Sequence, residues 1–590
     1  MKYLDLVLTY EKLEDTSKRL EMIEHLVELM KKTPPKLIDK IIYLTLGEPS
    51  WIEKPEIGMA EKLAIKTIST SFGVSINKIE RQLKKIRGTS SENKAIDLGS
   101  IVGTLKEKKQ MTLIKPKPLT ISQVYSTFEK MRYFSGAGSQ DRKMKALASL
   151  LNNSSPMEAK WIIRTIEGKL RVGIAEMTMI EALAIAFSND RANKEIIENA
   201  YNVRCDLGYI AKVLAENGLD AIKNINIKIG NPIRMMLAQR LATPEEILEK
   251  LGGKCALEYK YDGIRIQAHK DGNNIILFSR NLENLTEQFP DIREYIQDIN
   301  VNQLILEGEC VAYDIANNTF KPFQELMHRR RKYEIEKFKE EYQVKLFVFD
   351  LLFLDGISYL NEPYIERRKK IEILIENNGL KTAKNLIIDD PTPFYDFLEE
   401  SIKNGCEGVI AKSIQDDSIY KAGARGFLWI KYKHSYRENL GDSIDLVVVG
   451  ANMGRGKWAG FYGALYGAIY DKNSDSFITT CKIASGFTDE VLKTIMELLI
   501  PLKTTEQDRR VELPKEIKPD VLFSPSIVIE VKGDEITLSP TYSAAFGEFR
   551  ENTGLSIRFP RFLQIRSDKN PEDATTTDEL IQMYQNQGKK

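Results

Sequence analysis

The chain has 590 residues, 42% hydrophobic and 29% charged, and 85 Lys and Arg against 84 Asp and Glu leave a net charge of +1. That length exceeds what one hydrophobic core supports and predicts three or four domains. No apolar run reaches the length of a membrane span, so a transmembrane protein is excluded, while a near-neutral total leaves a nucleic-acid partner open because basic surfaces can hide within it.

The opening segment, MKYLDLVLTYEKLED, carries no basic leader, long apolar stretch or small-residue cleavage site, so the expectation is a cytoplasmic chain with no membrane partner. Residues 1–228 read as helical. Leu20, Ile23, Leu26, Val27 and Met30 recur at helical spacing after Thr16 and Ser17, which are candidate caps. Met144, Leu147, Leu150 and Leu151 repeat the pattern, as does the stretch around Trp161, Ile162 and Ile166. Residues 229–437 shift to short β-rich runs. Leu257, Tyr259 and Tyr261 alternate with polar neighbours, and Asp271-Gly272 before the run Ile275 to Phe278 predicts a hairpin. From 438 to 590 β-branched runs broken by glycines, as in DLVVVGANMGRGKWAGFYGALYGAIYD, predict a small, strongly curved barrel. Cys205, Cys255, Cys310, Cys406 and Cys481 are scattered singly, without zinc-ligand spacing or a disulfide framework, which predicts reduced thiols.

The chemistry begins in EYKYDGIR, where Lys260 stands two residues before Asp262-Gly263. Alone this is a strand ending in a turn. As a nucleophile, the lysine would sit at a strand end where its amine can reach a phosphorus atom. The rest of the chain decides. FSRNLENLT, LILEGECVAYD, LFVFDLLFLDG, EGVIAK, WIKYKHSY and RFPRFLQIRSDK follow in that order. This series strongly resembles the covalent nucleotidyltransferases, and among them the ATP-dependent DNA ligases. GAGSQDRK, GKLRVGIAEMT and GNPIRMMLAQR extend the resemblance to the helical front end and linker of the archaeal and eukaryotic-type replicative ligases.

The resemblance implies a multidomain protein: an all-α DNA-binding domain, an α+β adenylation domain with antiparallel sheets, and an OB-fold β-barrel ending in a helix. It implies that ATP adenylates Lys260, that AMP passes to the 5′-phosphate of a nick in duplex DNA, and that the 3′-hydroxyl then displaces it. Lys260 must react as the neutral amine, which nearby positive charge from Lys431, Lys433 and a metal ion favours. By resemblance Glu258 accepts the adenine amino group and Phe349 stacks on the ring, as a flat apolar face suits. Arg265, Arg280, Arg425, Lys431 and Lys433 hold ribose or phosphates, and Glu309 lies near the ribose. Glu309 and Glu407 are the ligands of Mg2+, with Mn2+ as a substitute, because hard cations take oxygen donors. Arg558, Arg561, Arg566, Asp568 and Lys569 orient the pyrophosphate, so the last domain must close over ATP and then swing away.

In the helical domain Gly136, Gly138 and Gly168 are expected to let backbone amides approach DNA phosphates, with Arg164 and Arg171 adding charge. Two departures from the family pattern are Glu307 in Glu307-Gly308-Glu309, where Asp is common, and Met235, where proline is common. An RNA ligase or an mRNA-capping-type enzyme is the alternative, although neither needs the helical front end. An NAD-dependent ligase would bring a cysteine-ligated zinc module, and a dead DNA clamp would not keep Lys260 and the last motif intact. Finally, Gln110, Leu113 and Ile114 in KEKKQMTLIKPKPL resemble a degenerate docking peptide for the replication sliding clamp, in a chain expected to act as a monomer.

Overall fold

A computed structural model describes residues 1–587 except 17, 47–56, 88–96, 109–116, 169, 171, 242, 315–316, 318, 322, 331–334, 376–379, 434–442 and 455–459. From Tyr3–Asp15 to Leu219–Lys223 the described elements are helices. Their apolar stripes meet in one core that includes Leu6, Tyr10, Leu26, Trp161, Ile180 and Leu214. Pro156–Ile166 shows how local sequence sets a boundary. Ser155 accepts the Glu158 N–H at 3.2 Å, the Glu158 carboxylate takes the Ser155 N–H at 2.7 Å, and Pro156 occupies the first turn. The expected cap at Thr16 is not used. The second helix begins at Arg19 after Lys18, Thr16 instead accepts the Lys18 N–H at 3.1 Å, and Leu20 faces solvent.

Two sheets form the middle of the molecule. One runs in the order Leu237–Arg240, Arg425–Lys433, Gly408–Ser413, Cys255–Lys260, Asn385–Ile388. The other is built on Asn274–Ser279, Ile264–Asp271, Gln303–Asp314 and Val344–Leu354, and contains the expected hairpin with Asp271 opposite Asn274. The Cys255–Lys260 strand is buried on both faces up to its last residue although its sequence alternates apolar and polar from Leu257, so Glu258 is a buried carboxylate. Aromatic rings fill the space between the sheets, with Tyr261 stacked on Phe347 at 4.3 Å.

The linker is sewn to this unit by buried polar groups. Gln267 accepts from the Ile233 N–H at 2.8 Å and donates to the Ile233 carbonyl at 3.0 Å and to Glu307 at 2.9 Å. Glu307 also accepts from Arg265 at 2.6 Å and from the Tyr420 hydroxyl at 2.9 Å. Its longer side chain is therefore fully used, and Met235 is simply buried.

The third part centres on Ser443–Met453, which pairs with Tyr462–Asp471, Val521–Phe523 and Val528–Lys532. A side chain at Gly467 would meet Leu446 at 2.7 Å, so the curvature there depends on glycine. This β-rich part docks on the helical part. The Arg509 guanidinium donates to the carbonyls of Leu13, Glu14 and Thr16 where the first helix ends, and Thr178 donates to Asp475 at 3.0 Å.

Gly408 sits where the Gly408–Ser413 strand lies between Lys260 and Lys433. Its φ is 151°, and a Cβ there would lie 2.2 Å from the Tyr432 carbonyl oxygen and 2.8 Å from Lys433 Cα. Both neighbours are backbone, so they cannot step aside. Gly408→Ala is expected to destabilise this sheet by about 1–3 kcal/mol, and to lower covalent nucleotide labelling more than tenfold. Denaturant titration with a labelling assay checks this; unchanged labelling would show that the strands can part harmlessly.

Candidate active site

The Cys255–Lys260 strand ends as it leaves the core, and the chain turns through Asp262 and Gly263 into the second sheet. Gly263 permits that turn, because a Cβ would lie 2.3 Å from the Cys310 carbonyl oxygen. Lys260, from one sheet, is thereby brought beside Glu309, from the other. Both line a cavity of about 210 Å3, together with Glu258, Arg265, Arg280, Phe349, Glu407, Arg425, Lys431 and Lys433. Separate sequence motifs therefore converge on one space.

Lys260 Nζ is ion-paired with Glu407, and Lys433 Nζ approaches the same carboxylate at 3.5 Å. Burial alone would push Glu407 upward, but the two lysines outweigh it and hold this carboxyl well below the usual range. The neighbouring acids behave oppositely. Burial raises Glu309 to about 8 despite Lys260 and Arg265, and burial with the Glu407 charge raises Asp262 to about 6. A carboxylate group this short of positive charge suits a divalent cation carried in with phosphates. Among the described residues no three potential ligands form a ready-made metal cage.

At the other end the cavity is apolar. Phe349 meets Trp429 edge to face at 6.0 Å, and the Arg265 guanidinium lies 5.1 Å from the Phe349 ring. Glu258 is almost wholly buried and ends this slot. Sequence reasoning missed its partners: Tyr364 and Arg368 lie in none of the quoted strings, and Lys412, the last residue of EGVIAK, was not singled out there.

The roof comes from the β-rich part. Arg566 forks onto Asp568 at 2.8 and 2.7 Å, and both line the cavity with Lys569. Burial would raise Asp568, but Arg566 outweighs it and brings it to about 2, whereas burial lowers Lys569 to about 8 against the opposing pull of Asp445. Asp445, also missed in the sequence, ion-pairs with Lys569 and meets Arg566 at 3.3 Å. The C-terminal segment reaches two expected phosphate or ribose ligands: Arg425 pairs with Glu579, and Arg280 with Asp573 at 3.4 Å.

Other expected residues lie elsewhere. Arg558 is 53% exposed beside Glu535, Arg561 is also exposed, and neither lines the cavity; they flank the turn between strand Gly554–Arg558, paired with Glu535–Ser539, and strand Arg561–Ile565, paired with Val528–Lys532. Arg164 cannot meet DNA phosphate in this fold. It is 2% exposed, and its charge is taken up by Asp97 at 2.7 Å and Glu14 at 2.8 Å inside the helical core. Gly136, Gly138 and Gly168 are in the left-handed region with open space around them, at the turns bounding helices Ser139–Asn153 and Pro156–Ile166. Arg171 and the segment Gln110, Leu113 and Ile114 lie outside the described residues.

A lysine sharing a cavity with Arg and Lys side chains, and with the Phe349 ring and Glu258 at its other end, is equipped for nucleotidyl transfer. Residues 235–433 match the ATP dependent DNA ligase domain family, 2–184 the DNA ligase N terminus family and 458–569 the ATP dependent DNA ligase C terminal region family. The chain is 47% identical to DNA ligase 2 of Thermofilum pendens, covering 98% of this chain and 96% of that one. It is 46% identical to a DNA ligase of Sulfolobus acidocaldarius, covering 98% and 97%. A solved structure of mycobacterial DNA ligase D complexed with ATP and MES is 27% identical, covers 58% of this chain and 97% of that one, and has a TM-score of 0.34. The chain belongs to the ATP-dependent DNA ligase family. Its β-rich part is accordingly the OB-fold domain, and the RNA-ligase and capping alternatives are not favoured. No helix among the described residues is long and apolar enough to cross a membrane.

Asp445 anchors both cations of the roof, so Asp445→Asn should loosen them together. We expect enzyme adenylation to slow about ten- to hundredfold, the effect of losing a charge-assisted bond worth about 1.5–3 kcal/mol. Sealing of a nick that already carries its adenylate should fall much less. Equal losses in both assays would assign Asp445 to barrel stability.

Proposed function

We propose that the chain seals 5′-phosphate/3′-hydroxyl nicks in duplex DNA, with Lys260 as the covalent carrier of AMP. The observation that carries this reading is the position of Lys260 at the cavity floor, beside Glu407 and beneath Arg566, Asp568 and Lys569.

In the first step the neutral Lys260 amine attacks the α-phosphorus of ATP. An N–P bond forms, the bond to the bridging oxygen of the β-phosphate breaks, and pyrophosphate leaves. Arg566 and Lys569 are suited to steady the leaving group, Phe349 to stack on adenine, and Glu258 to accept from its amino group. Arg265, Arg280, Arg425, Lys431 and Lys433 serve ribose and phosphate, Arg280 and Arg425 after exchanging their present carboxylate partners. Glu309 and Glu407 would hold Mg2+, or Mn2+ in its place. When bound, the cation neutralises phosphate oxygens and, drawing Glu407 toward itself, favours the neutral amine.

In the second step the 5′-phosphate of the nick displaces Lys260 from the adenylate. In the third the 3′-hydroxyl attacks that phosphate and AMP leaves. No further covalent residue is needed, so positioning and electrostatics supply the acceleration. The helical domain grips the DNA backbone without reading sequence, and the exposed turns at Gly136, Gly138 and Gly168 suit amide contacts to phosphates. The enzyme is proposed to act as a monomer.

Lys260→Ala should abolish covalent labelling by ATP and the sealing of ordinary nicks, while a pre-adenylated nick is still joined. Robust labelling of that variant would remove the proposal.

The segment with Gln110, Leu113 and Ile114 is proposed as a docking peptide for the sliding clamp. Its support is the glutamine with an aliphatic residue three positions on and lysines before it. Changing all three to alanine should leave nick sealing by the isolated enzyme intact and remove stimulation by the clamp at raised salt. Equal clamp binding by the variant, or none by the natural chain, would end this assignment.

A further inference from the structure

Glu258 is held from three directions by residues outside its own strand. The Tyr364 hydroxyl donates to Oε1 at 2.6 Å, and Arg368 donates to the same oxygen at 3.3 Å. Lys412 meets Oε2 at 2.7 Å. Tyr364 and Arg368 lie four residues apart on the helix Tyr364–Leu374, so one helix face presents both donors. That helix is itself fixed. Arg367 forks onto Asp350 at 2.6 and 3.1 Å with neither side chain exposed, and donates to the Ser418 carbonyl at 2.9 Å.

Burial, then the Glu258 charge, pushes the Tyr364 hydroxyl well above its ordinary value, so it stays a donor. Lys412 is anchored separately, donating to the Phe349 carbonyl at 3.1 Å and lying 4.4 Å from the Trp429 ring. A carboxylate offers about four lone-pair positions. With Oε1 taken twice and Oε2 once, the remaining acceptor capacity is on Oε2 of a residue that lines the cavity.

We propose that Tyr364 is a specificity-positioning residue, fixing Glu258 so that its free lone pair selects a purine bearing an exocyclic amine over one bearing a carbonyl at the same position. This rests on the reading that Glu258 faces the base. A fixed acceptor takes an N–H from the amino group and repels a carbonyl oxygen. A carboxylate free to turn would swing away from the carbonyl and lose that discrimination. Tyr364 contributes more than Arg368, since its bond is the shorter and Arg368 is shared with Glu372 at 2.7 Å.

The test uses the full-length enzyme and compares covalent labelling by ATP and by inosine triphosphate, whose base carries a carbonyl in place of the amine. Tyr364→Phe keeps the ring and removes only the donor. The expected result is a fall of tenfold or more in the preference for ATP over inosine triphosphate, with the larger change in KM and little in kcat. An equal loss with both nucleotides, or no change with either, would overturn the proposal, because a packing role lowers both alike. Glu258→Gln is measured beside it. If that variant also keeps the full preference for ATP, the placement of Glu258 at the base fails and takes the inference with it. If it loses the preference while Tyr364→Phe keeps it, only the role of Tyr364 is overturned.

Discussion

The catalytic end of this molecule depends on two places where backbone touches backbone. At Gly408 three strands run so close that no side chain fits between Lys260 and Lys433. At Gly263 the chain leaving the Cys255–Lys260 strand lies against the Cys310 carbonyl of the other sheet. The first contact puts Glu407, the residue before Gly408, beside Lys260, with its N–H bonded to the Lys260 carbonyl at 2.9 Å. The second brings Glu309 across from the opposite sheet. Lysine and carboxylates are thus placed by strand register, which is stiffer than any loop.

Electrostatics then sets the balance of charge inside the site. Lysines and carboxylates share a small, partly dry space, and the pull of each on the others is strong. Asp262 and Glu309 are driven toward protonation by burial, while the charges of Lys260 and Lys433 beside it keep Glu407 ionised. Nucleotide phosphates with their cation would redistribute this balance. The OB-fold domain is held over the site by ion pairs such as Arg280–Asp573 and onto the helical domain by Arg509. These contacts are polar, as at interfaces between domains that move relative to one another. A domain secured this way can leave when DNA must enter.

Much of the site was legible because its chemistry is carried by short strings in a fixed order. Lys260, Glu258, Glu309, Phe349, Glu407 and Lys431 all come from such strings and all reach the cavity. Legibility failed where a residue acts through a fold-level encounter. Asp445 is an ordinary acid on a barrel strand until the fold of the same β-rich part brings it to Lys569. Tyr364 and Arg368 sit in a charge-rich helix, YIERRKKIEIL, without a marked apolar face, yet meet Glu258 more than a hundred residues away in sequence. Arg164 misled in the opposite direction. An arginine among Trp161, Ile162 and Ile163 is on a helix buried nearly all round, where a charge must find an acid inside the protein. In RFPRFLQIRSDK, strand geometry separates Arg558 and Arg561 from Arg566, which the string alone does not reveal.

The central claim is that one lysine, set by strand register, carries the nucleotide. The most direct measurement is to incubate the enzyme with ATP and the divalent cation, digest it, and locate the added AMP by mass spectrometry. The account predicts a single adduct on Lys260, with Lys431, Lys433 and Lys569 unmodified. An adduct on one of those lysines, with Lys260 bare, would contradict it.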